Sequence, residues 1–362
     1  MKPLDMAAEA FGVSPATEVI ELRAGNINNT YYVRSGKGEY ILQRVNKNAF
    51  KDPQALMRNI FLVTEFLAGK MKEAGEDPED RVLRFLRTGD GEALYVDGEG
   101  QYWRAYHYVG RAVAYNQVEK PEHFRQAGKA FGHFQRMLAD FPARELTETI
   151  PNFHNTVSRY RDFEEAVRRD AAGRAHEVRD LIGAMREREW VCHLIVDRIE
   201  SGEIPLRVTH NDTKINNVLL DEVTGEEKCV IDLDTVMPGA AAYDFGDAIR
   251  FGANTGNEDE EDTGKISLNL DLFRLFAQGF VSETAGILTE KELESLVDGV
   301  RVITTEQVMR FLTDYLNGDT YFKIRYPLHN LVRSRAQMAL LLDVEKKYDD
   351  MRRIVRSVMA EG

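Results

Sequence analysis

The chain changes character near residue 110, and this change limits the folds that it can adopt. Before this point, short runs rich in β-branched and aromatic residues alternate with glycine-containing turns, interrupted by one amphipathic stretch at 53–72. After it, long helical patterns dominate, such as 121–138, where apolar residues recur on one face. The sequence therefore predicts an α+β protein with a sheet-bearing domain at 1–110 and a larger, mainly helical domain at 111–362.

Composition excludes several classes of function. The chain has 47 Lys and Arg against 60 Asp and Glu, a formal net charge of −13, and no basic patch offsets it, so we expect no nucleic-acid partner. Cys192 and Cys229 lie far apart in apolar surroundings, which is typical of buried thiols in a reducing compartment. The sequence has no signal-peptide pattern, no apolar run that could span a membrane and no evident protein-binding segment. We therefore expect a cytoplasmic protein.

Common nucleotide-binding and hydrolase motifs do not occur in the sequence. The 27 glycines form neither G-x-G-x-x-G nor G-x-x-x-x-G-K-[ST]. The sequence also lacks G-x-S-x-G and H-E-x-x-H. These absences disfavour a simple dinucleotide-binding protein, a P-loop enzyme, an α/β-hydrolase and a zinc protease.

The most informative segment is 209–220, where polar residues lie between β-prone flanks and predict a loop that enters a strand. A second β-prone run ends at Asp232 and Asp234, and the glycine-containing turn between the two runs predicts a hairpin. Such a hairpin brings Asp212 and Asn217 close to Asp232. A phosphoryl-transfer site needs one carboxylate that accepts a hydroxyl proton, and an amide and a second carboxylate that hold Mg²⁺.

Each residue of this group also has a plainer interpretation, because Asp and Asn often cap turns in hairpin loops. The combination is more specific. The spacing H-x-D-x-x-x-x-N is followed by a strand, a short turn and the pair I-D at 231–232. The joint pattern favours a phosphoryl-transfer site over an Asx-rich hairpin without a catalytic role.

These motifs resemble the aminoglycoside phosphotransferase/choline kinase family, within which the bacterial N-acetylhexosamine 1-kinases are most similar. The segments that carry the resemblance are 210–214, 230–239, 244–252, 309–312 and 326–333. The resemblance implies a two-lobe, protein-kinase-like fold with a small lobe built on a mixed β-sheet and a large, mainly helical lobe. It also implies an enzyme that uses ATP and Mg²⁺ to phosphorylate a small molecule, namely the C1 hydroxyl of N-acetylglucosamine or N-acetylgalactosamine.

Matching positions in the central motif imply a role for each polar residue. Asp212 would be the catalytic base, while Asn217, Asp232 and Asp234 would bind Mg²⁺. His210 is expected to hold the catalytic loop through hydrogen bonds to the backbone rather than to transfer protons.

The string Asp244-Phe245-Gly246 looks like the metal-binding motif of protein kinases, but we expect it to be structural. It follows Pro238 and Gly239 and opens a helix instead of ending a strand. Asp232 already fills the metal position. Asp244 is therefore expected to cap a helix or to brace the catalytic loop.

The turn at 25–30 resembles the nucleotide-binding loop of the family, with backbone N–H groups near the ATP phosphates. The residues expected there are Asn28, Asn29 and Thr30. The strand at 40–45 should also carry a basic residue for the phosphates, but it contains no lysine. Gln43 occupies the matching position, and Arg44 would contact the phosphates only if the register shifted by one residue. Glu65 on the next helix is either the partner of Arg44 or a solvated residue.

The resemblance also implies residues that contact the acceptor. Lys214 and Ile215 follow the catalytic base, and Arg310 and Tyr321 match positions that contact the sugar. The alternative for Arg310 and Tyr321 is a role in core salt bridges and packing.

Other functions remain open at this stage. A related kinase could act on an amino alcohol, an aminoglycoside or homoserine, which a panel of acceptors would distinguish. A nucleotide-binding module without activity is a second alternative, disfavoured by the complete set of polar residues. A metal-dependent sugar hydrolase, with Asp232 and Asp234 as its carboxylates, would act without ATP.

Overall fold

The computed structural model describes residues 2–22 and 27–361. As predicted, the protein is an α+β fold with a sheet-bearing N-terminal lobe and a mainly helical C-terminal lobe. The elements of the N-terminal lobe are α1 Pro3–Ala10, β1 Ala16–Leu22, β2 Asn29–Ser35, β3 Gly38–Val45, α2 Pro53–Glu73, β4 Tyr95–Val96 and β5 Tyr102–His107.

The N-terminal sheet has the strand order β1-β2-β3-β5-β4. Every pair of neighbouring strands in it is antiparallel, so the expectation of a mixed sheet is wrong. Short turns join β2 to β3 and β4 to β5, as antiparallel neighbours allow. The long segment through α2 brings β5 back antiparallel to β3. The segment 82–86 lies beside β5 without forming a full strand: it makes one bridge, Phe85 to Tyr106, and two backbone hydrogen bonds to β5.

The two faces of this sheet pack against different parts of the protein. One face contributes Tyr40, Leu42 and Trp103 to a small core beneath α1. The other face contributes Val45 and Tyr102 to the core that contains α2. Because side chains alternate along a strand, Gln43 shares the α2 face with Val45, whereas Arg44 lies on the α1 face.

Helix α2 connects the two lobes. Asp52 caps it by accepting a hydrogen bond from the Ala55 amide at 2.9 Å, and Pro53 is the first helical residue. Its apolar face packs in one core with Phe134 and Leu138 of the helical lobe. The buried Asn59 donates to the carbonyls of Thr147 and Val236, which lie outside the sheet lobe.

The C-terminal lobe consists of long helices around two small sheets. Its helices are α3 Pro121–Met137, α4 Thr156–Arg169, α5 Arg179–Arg186, α6 His193–Glu200, α7 Ala241–Gly252, α8 Leu270–Thr284, α9 Glu290–Leu316, α10 His329–Lys346 and α11 Tyr348–Glu361. Its strands are β6 Ala112–Val113, β7 Arg207–Thr209, β8 Val218–Asp221, β9 Glu227–Val230 and β10 Met237–Gly239. No helix within the described ranges, 2–22 and 27–361, is long and apolar enough to cross a membrane.

Two glycines bring α7 and α9 into close contact at the centre of this lobe. A Cβ atom at Gly246 would lie 2.4 Å from the carbonyl oxygen of Gly299, and one at Gly299 would lie 2.0 Å from that of Ala242. Both positions therefore require glycine for packing. Gly246 is thus a helix-contact residue, not part of a metal-binding loop.

The two small sheets hold the polar motifs side by side. Strands β8 and β9 form the predicted antiparallel hairpin, with Val218 opposite Val230. Strand β7 pairs with β10, with Thr209 opposite Met237. The loop after β7 and the loop after β9 therefore leave the sheets at the same place and form the floor of the cleft between the lobes.

Candidate active site

Asp212 lies at the centre of the loop between β7 and β8 and is held from two sides. The Nζ of Lys214 lies 2.7 Å from its Oδ1. The side-chain amide of Asn217 donates to its Oδ2 at 3.1 Å and to its main-chain carbonyl at 2.8 Å. The structure thus brings together three residues that the sequence singles out, and it fixes the orientation of the Asp212 carboxylate.

The ion pair keeps both partners charged at neutral pH. Burial alone would raise the pKa of Asp212, but the charge and hydrogen bond of Lys214 lower it below its usual value. Burial alone would lower the pKa of Lys214, but the charges of Asp212 and Asp247 raise it. Asp212 is therefore an ionised carboxylate that can accept a proton.

Asp232 follows β9 and faces the cleft with an open carboxylate. It adopts a left-handed conformation with φ 60°, which is uncommon for a residue other than glycine and turns its side chain out of the strand. Its side chain is exposed, and within residues 2–22 and 27–361 its carboxylate accepts no hydrogen bond. Loss of hydration beside the surrounding protein is the main effect that raises the pKa of Asp232, to about 7, and the nearby charges of Asp234 and Asp212 add to it.

This arrangement fits a divalent cation. Among the residues that the structure describes, the Oδ1 of Asn217 accepts no hydrogen bond, so one amide oxygen and one carboxylate are available. No group of three His, Cys, Asp or Glu that could hold a metal occurs within the same residues. A site with few protein ligands suits Mg²⁺, which commonly binds one or two carboxylates together with substrate phosphates and water.

Asp234 differs from Asp232 because both of its oxygens are engaged. Its Oδ2 accepts a hydrogen bond from the Asn28 amide at 2.7 Å. Its Oδ1 forms a salt bridge with Arg104. The side chain of Arg104 is 2% exposed, and that of Asp234 is 5% exposed. The structure therefore places this predicted metal ligand in a link to the N-terminal lobe.

His210 connects the two loops, in agreement with the structural role expected for it. Its ring donates from Nε2 to the carbonyl of Ile231 at 2.9 Å. Its Nδ1 accepts a hydrogen bond from the backbone amide of Asp212 at 3.3 Å. The ring is fully buried between Phe131 and Phe134, so it is not available to a substrate.

Asp244 braces the loop between β7 and β8 from beneath. Its buried carboxylate accepts hydrogen bonds from the backbone amides of His210 at 3.0 Å and Asn211 at 2.8 Å. The side-chain amide of Gln135 donates to it at 2.7 Å. Ala240, not Asp244, is the N-cap of α7, so of the two roles expected for Asp244 the bracing role is observed.

The turn before β2 contributes only some of its predicted residues to the site. Gly25 and Asn26 lie outside the described residues. Asn28 reaches Asp234, and the Thr30 hydroxyl accepts a hydrogen bond from Gln43 at 3.0 Å on the face that borders the cleft. Asn29 lies on the opposite face, where it accepts a hydrogen bond from Arg44 at 2.8 Å.

The structure therefore does not bring Arg44 to the site. The registers pair Thr30 with Gln43 and Asn29 with Arg44, without the one-residue shift that an Arg44 contact would require. Since side chains alternate along strands, Arg44 and Asn29 point towards α1 instead. Glu65 also lies elsewhere, in an exposed pair with Arg87 at 3.4 Å.

Sequence reasoning missed Arg104, the basic residue that does reach this region. It lies on β5 directly opposite Gln43. Its guanidinium donates to the Gln43 Oε1 at 2.9 and 2.7 Å and contacts Asp234. The available signal was an arginine inside a strand of otherwise aromatic and apolar residues, a position where a charge needs a partner.

Two of the predicted acceptor residues line one cavity of about 400 Å³ in the C-terminal lobe. Its walls include three arginines, three carboxylates and two aromatic residues, namely Arg159, Arg169, Arg310, Asp162, Glu165, Asp314, Tyr321 and Phe322. Burial, followed by the charge of Arg310, lowers the pKa of Arg159. Lys214 is not among the wall residues. Ile215 is also absent, because its side chain is buried in the helical core.

A second cavity, of about 410 Å³, lies at the end of α7. Its walls include Asn116, Gln117, Arg250, Asn254, Glu258 and Gln337. The buried Arg250 pairs with Asp247 at 2.8 Å, and Asp247 accepts a hydrogen bond from the Thr213 amide at 3.1 Å. This cavity is thus connected through hydrogen bonds to the loop between β7 and β8.

Comparison with known proteins identifies the family of this chain and the fold that it shares. The model of the phosphotransferase enzyme family matches residues 18–270. An aminoglycoside phosphotransferase from Alicyclobacillus acidocaldarius has a TM-score of 0.64 at 12% identity, with 99% of this chain and 97% of that chain covered. A microcompartment-associated aminopropanol kinase has a TM-score of 0.60 at 15% identity, with 96% and 97% covered.

A third solved structure is similar over most of its length. It is an amicoumacin kinase in complex with AMP-PNP and Ca²⁺, with a TM-score of 0.57 at 14% identity and with 96% of this chain and 92% of that chain covered. At such low identities these likenesses concern the fold. The fold is the two-lobe, kinase-like fold that the sequence predicts.

Proposed function

This chain belongs to the phosphotransferase enzyme family, and we propose that it is an ATP- and Mg²⁺-dependent kinase that phosphorylates a small sugar. The observation that carries the proposal is the Asp212 carboxylate, held between Lys214 and Asn217 and close to the open carboxylate of Asp232. A solved kinase of similar fold was captured with AMP-PNP and Ca²⁺, which supports a nucleotide and a divalent cation.

In the proposed reaction, Asp212 accepts the proton of the acceptor hydroxyl. The oxygen of that hydroxyl forms a bond to the γ-phosphorus as the bond to the bridging oxygen of ADP breaks. This requires the hydroxyl within about 2.6–3.2 Å of the Asp212 carboxylate. Lys214 binds Oδ1 of Asp212, and Asn217 donates to Oδ2, which keeps a further lone pair for the hydroxyl proton.

Asp232 and Asn217 would hold the metal ion through one carboxylate and one amide oxygen. When bound there, Mg²⁺ neutralises charge on the phosphates and aligns them. The turn residues Asn28 and Thr30 would border the phosphates. Asp234 keeps its bonds to Asn28 and Arg104 and does not need to bind the metal directly.

The cavity at Arg310 carries charges of both signs, because its three arginines are accompanied by the carboxylates of Asp162, Glu165 and Asp314. Asp314 accepts hydrogen bonds from three backbone amides and from Asn330, which orient its carboxylate without removing its charge. Because these charges balance, the wall by itself favours neither a neutral sugar nor a protonated amino alcohol or aminoglycoside. A sugar can accept hydrogen bonds from the fork of Arg310 through ring hydroxyls or an acetamido carbonyl.

We infer from the resemblance that the acceptor is the C1 hydroxyl of N-acetylglucosamine or N-acetylgalactosamine. A kinase for an amino alcohol, an aminoglycoside or homoserine is the alternative. A metal-dependent hydrolase is disfavoured, since one of its two carboxylates, Asp234, is already engaged.

The experiment is an assay of ADP formation with a panel of acceptors, with ATP or Mg²⁺ omitted as controls. The proposal expects turnover with N-acetylhexosamines that depends on both ATP and Mg²⁺. Turnover only with cationic acceptors would refute the sugar assignment, and release of free sugar without ATP would favour the hydrolase.

A further inference from the structure

Gln43 occupies the strand position where a kinase of this type is expected to carry a basic residue. A positively charged side chain is nevertheless present beside it. It comes from the neighbouring strand, where Arg104 lies directly opposite Gln43. Two hydrogen bonds to the Gln43 Oε1, at 2.9 and 2.7 Å, hold its guanidinium. The glutamine therefore positions an arginine instead of contacting a phosphate itself.

The partner of Arg104 belongs to the metal-binding loop and not to α2. In kinases of this fold, a strand lysine pairs with a glutamate of the helix. Here the α2 residue next to Arg104 is Met57, with its sulfur 3.9 Å from Nη1. The only carboxylate bonded to Arg104 in the part of the chain that the structure describes is that of Asp234.

The Arg104–Asp234 pair attaches the metal-binding loop to the N-terminal lobe at two points. Arg104 on β5 binds one oxygen of Asp234, and Asn28 binds the other at 2.7 Å. The Asn28 Oδ1 in turn accepts a hydrogen bond from the Asn46 amide at 3.0 Å. Only one residue, in a single 3₁₀ turn, separates Asp234 from Asp232, so fixing one carboxylate constrains the other.

We propose that Arg104 and Asp234 form a positioning pair that takes the place of the missing strand lysine and holds Asp232 where it binds the nucleotide-bound metal. This rests on the proposed kinase function. Arg104 acts through Asp234, since the guanidinium is buried and each of its three nitrogens donates to Gln43 or Asp234. Its positive charge also offsets the repulsion among the carboxylates of the cleft.

The energetics of buried pairs support a positioning role. A buried salt bridge is often no more stabilising than apolar residues of similar size. Fold stability alone therefore gives little reason to place two charges here. Groups that orient a metal ligand commonly change metal affinity by about 10–100-fold when they are removed.

The test measures binding of AMP-PNP by calorimetry, once with Mg²⁺ and once with EDTA. The main variant is Arg104→Met/Asp234→Asn, which removes both charges and so avoids an unpaired buried charge. We expect its affinity for AMP-PNP in Mg²⁺ to fall by about 10-fold or more, with less than a twofold change in EDTA. The control, Arg87→Met, removes an exposed arginine of the same lobe and should match wild type in both conditions.

The outcomes separate this inference from the proposed function. An unchanged Mg²⁺-dependent affinity in the folded double variant overturns the inference, and so does an equal loss in Mg²⁺ and EDTA. Should the double variant not fold, Arg104→Lys is measured in the same way. The affinity of this variant for AMP-PNP should fall by at least about threefold in Mg²⁺ but not in EDTA, because its single ammonium cannot reproduce the bonds to both Gln43 and Asp234. Failure of wild type to bind AMP-PNP contradicts the kinase function itself.

Discussion

The ammonium group of Lys214 lies 2.7 Å from one carboxylate oxygen of Asp212. The amide of Asn217 donates to the other oxygen, so the carboxylate cannot rotate freely. Together these contacts keep Asp212 ionised and aimed from the loop into the cleft. The first prediction tests whether this carboxylate is the base.

Replacing Asp212 by Asn should abolish most of the turnover. The amide has nearly the same size but cannot accept the proton, so kcat is expected to fall by about 10²–10⁴-fold. Affinity for AMP-PNP should change little. Asp197→Asn, an exposed aspartate on α6, serves as the control and should retain normal kcat. Near-normal turnover of Asp212→Asn would refute the assignment.

Replacing Asp232 by Ala should affect metal-dependent nucleotide binding, whereas replacing Asp244 by Ala should affect stability. Asp232→Ala removes an exposed carboxylate, so we expect a folded protein without Mg²⁺-dependent nucleotide binding. Asp244→Ala leaves two backbone amides of the catalytic loop unpaired, and the free energy of unfolding should fall by about 3 kcal/mol. Chemical denaturation and calorimetry distinguish the two. Loss of metal binding in Asp244→Ala alone would show that the wrong aspartate is assigned.

Binding of metal should shift the ionisation of Asp232. Its pKa is raised to about 7, so without metal the carboxyl group is protonated below this pH and charged above it. A bound cation favours the charged form and lowers the pKa. The carboxyl ¹³C shift of Asp232, assigned with Asp232→Asn, should titrate near pH 7 in the metal-free protein and at lower pH with Mg²⁺ and AMP-PNP. The concentration of Mg²⁺ required for activity should accordingly decrease from pH 6 to pH 8. A midpoint below pH 5 in the metal-free protein would contradict this account.

Replacing Arg310 should weaken binding of the acceptor and leave binding of the nucleotide unchanged. Arg310 lines the cavity at α4 and α9 and lies over the ring of Phe322. Arg310→Met is expected to raise the KM of the acceptor by about 10-fold, the loss of one charged hydrogen bond, with the KM of ATP unchanged. Arg186→Met, in an exposed pair with Glu164, is the control. An unchanged acceptor KM would favour the cavity at Arg250 as the acceptor site.

The position of phosphorylation should be C1. The free reducing N-acetylhexosamine is expected to be a substrate, while its methyl glycoside, which has no free hydroxyl at C1, is not. A site that binds its substrate through buried polar groups discriminates strongly against analogues that leave them unpaired. Turnover of the methyl glycoside would refute the 1-kinase assignment but not the kinase fold.

The parts of the site that could be predicted from the sequence are those encoded locally. Asp212 and Asn217 lie within one loop, and a single short hairpin brings Asp232 next to them. A structural role for Asp244 follows from its place after Pro238 and Gly239 at the start of a helix, and of its two expected forms only the bracing of the loop is observed. Family membership is confirmed over 18–270, whereas the similarity to N-acetylhexosamine 1-kinases and the role of each site residue stay predictions.

The parts that could not be predicted depend on pairing across strands. Arg104 and Gln43 are 61 positions apart and meet only because β3 and β5 are neighbours. The pairing of β2 with β3 likewise places Asn29 opposite Arg44, on the face of the sheet towards α1. Helix α1 has only 8 residues, too few for a clear helical period.

The most direct test is ³¹P NMR of the products formed from ATP and N-acetylglucosamine or N-acetylgalactosamine with Mg²⁺. The account predicts ADP and one new sugar 1-phosphate resonance, absent without Mg²⁺ and strongly reduced with Asp212→Asn. A 6-phosphate resonance would contradict the proposed acceptor hydroxyl. No phosphorylated product from these sugars or from any acceptor of the panel, with correctly folded protein, would contradict the central claim that this site transfers a phosphoryl group.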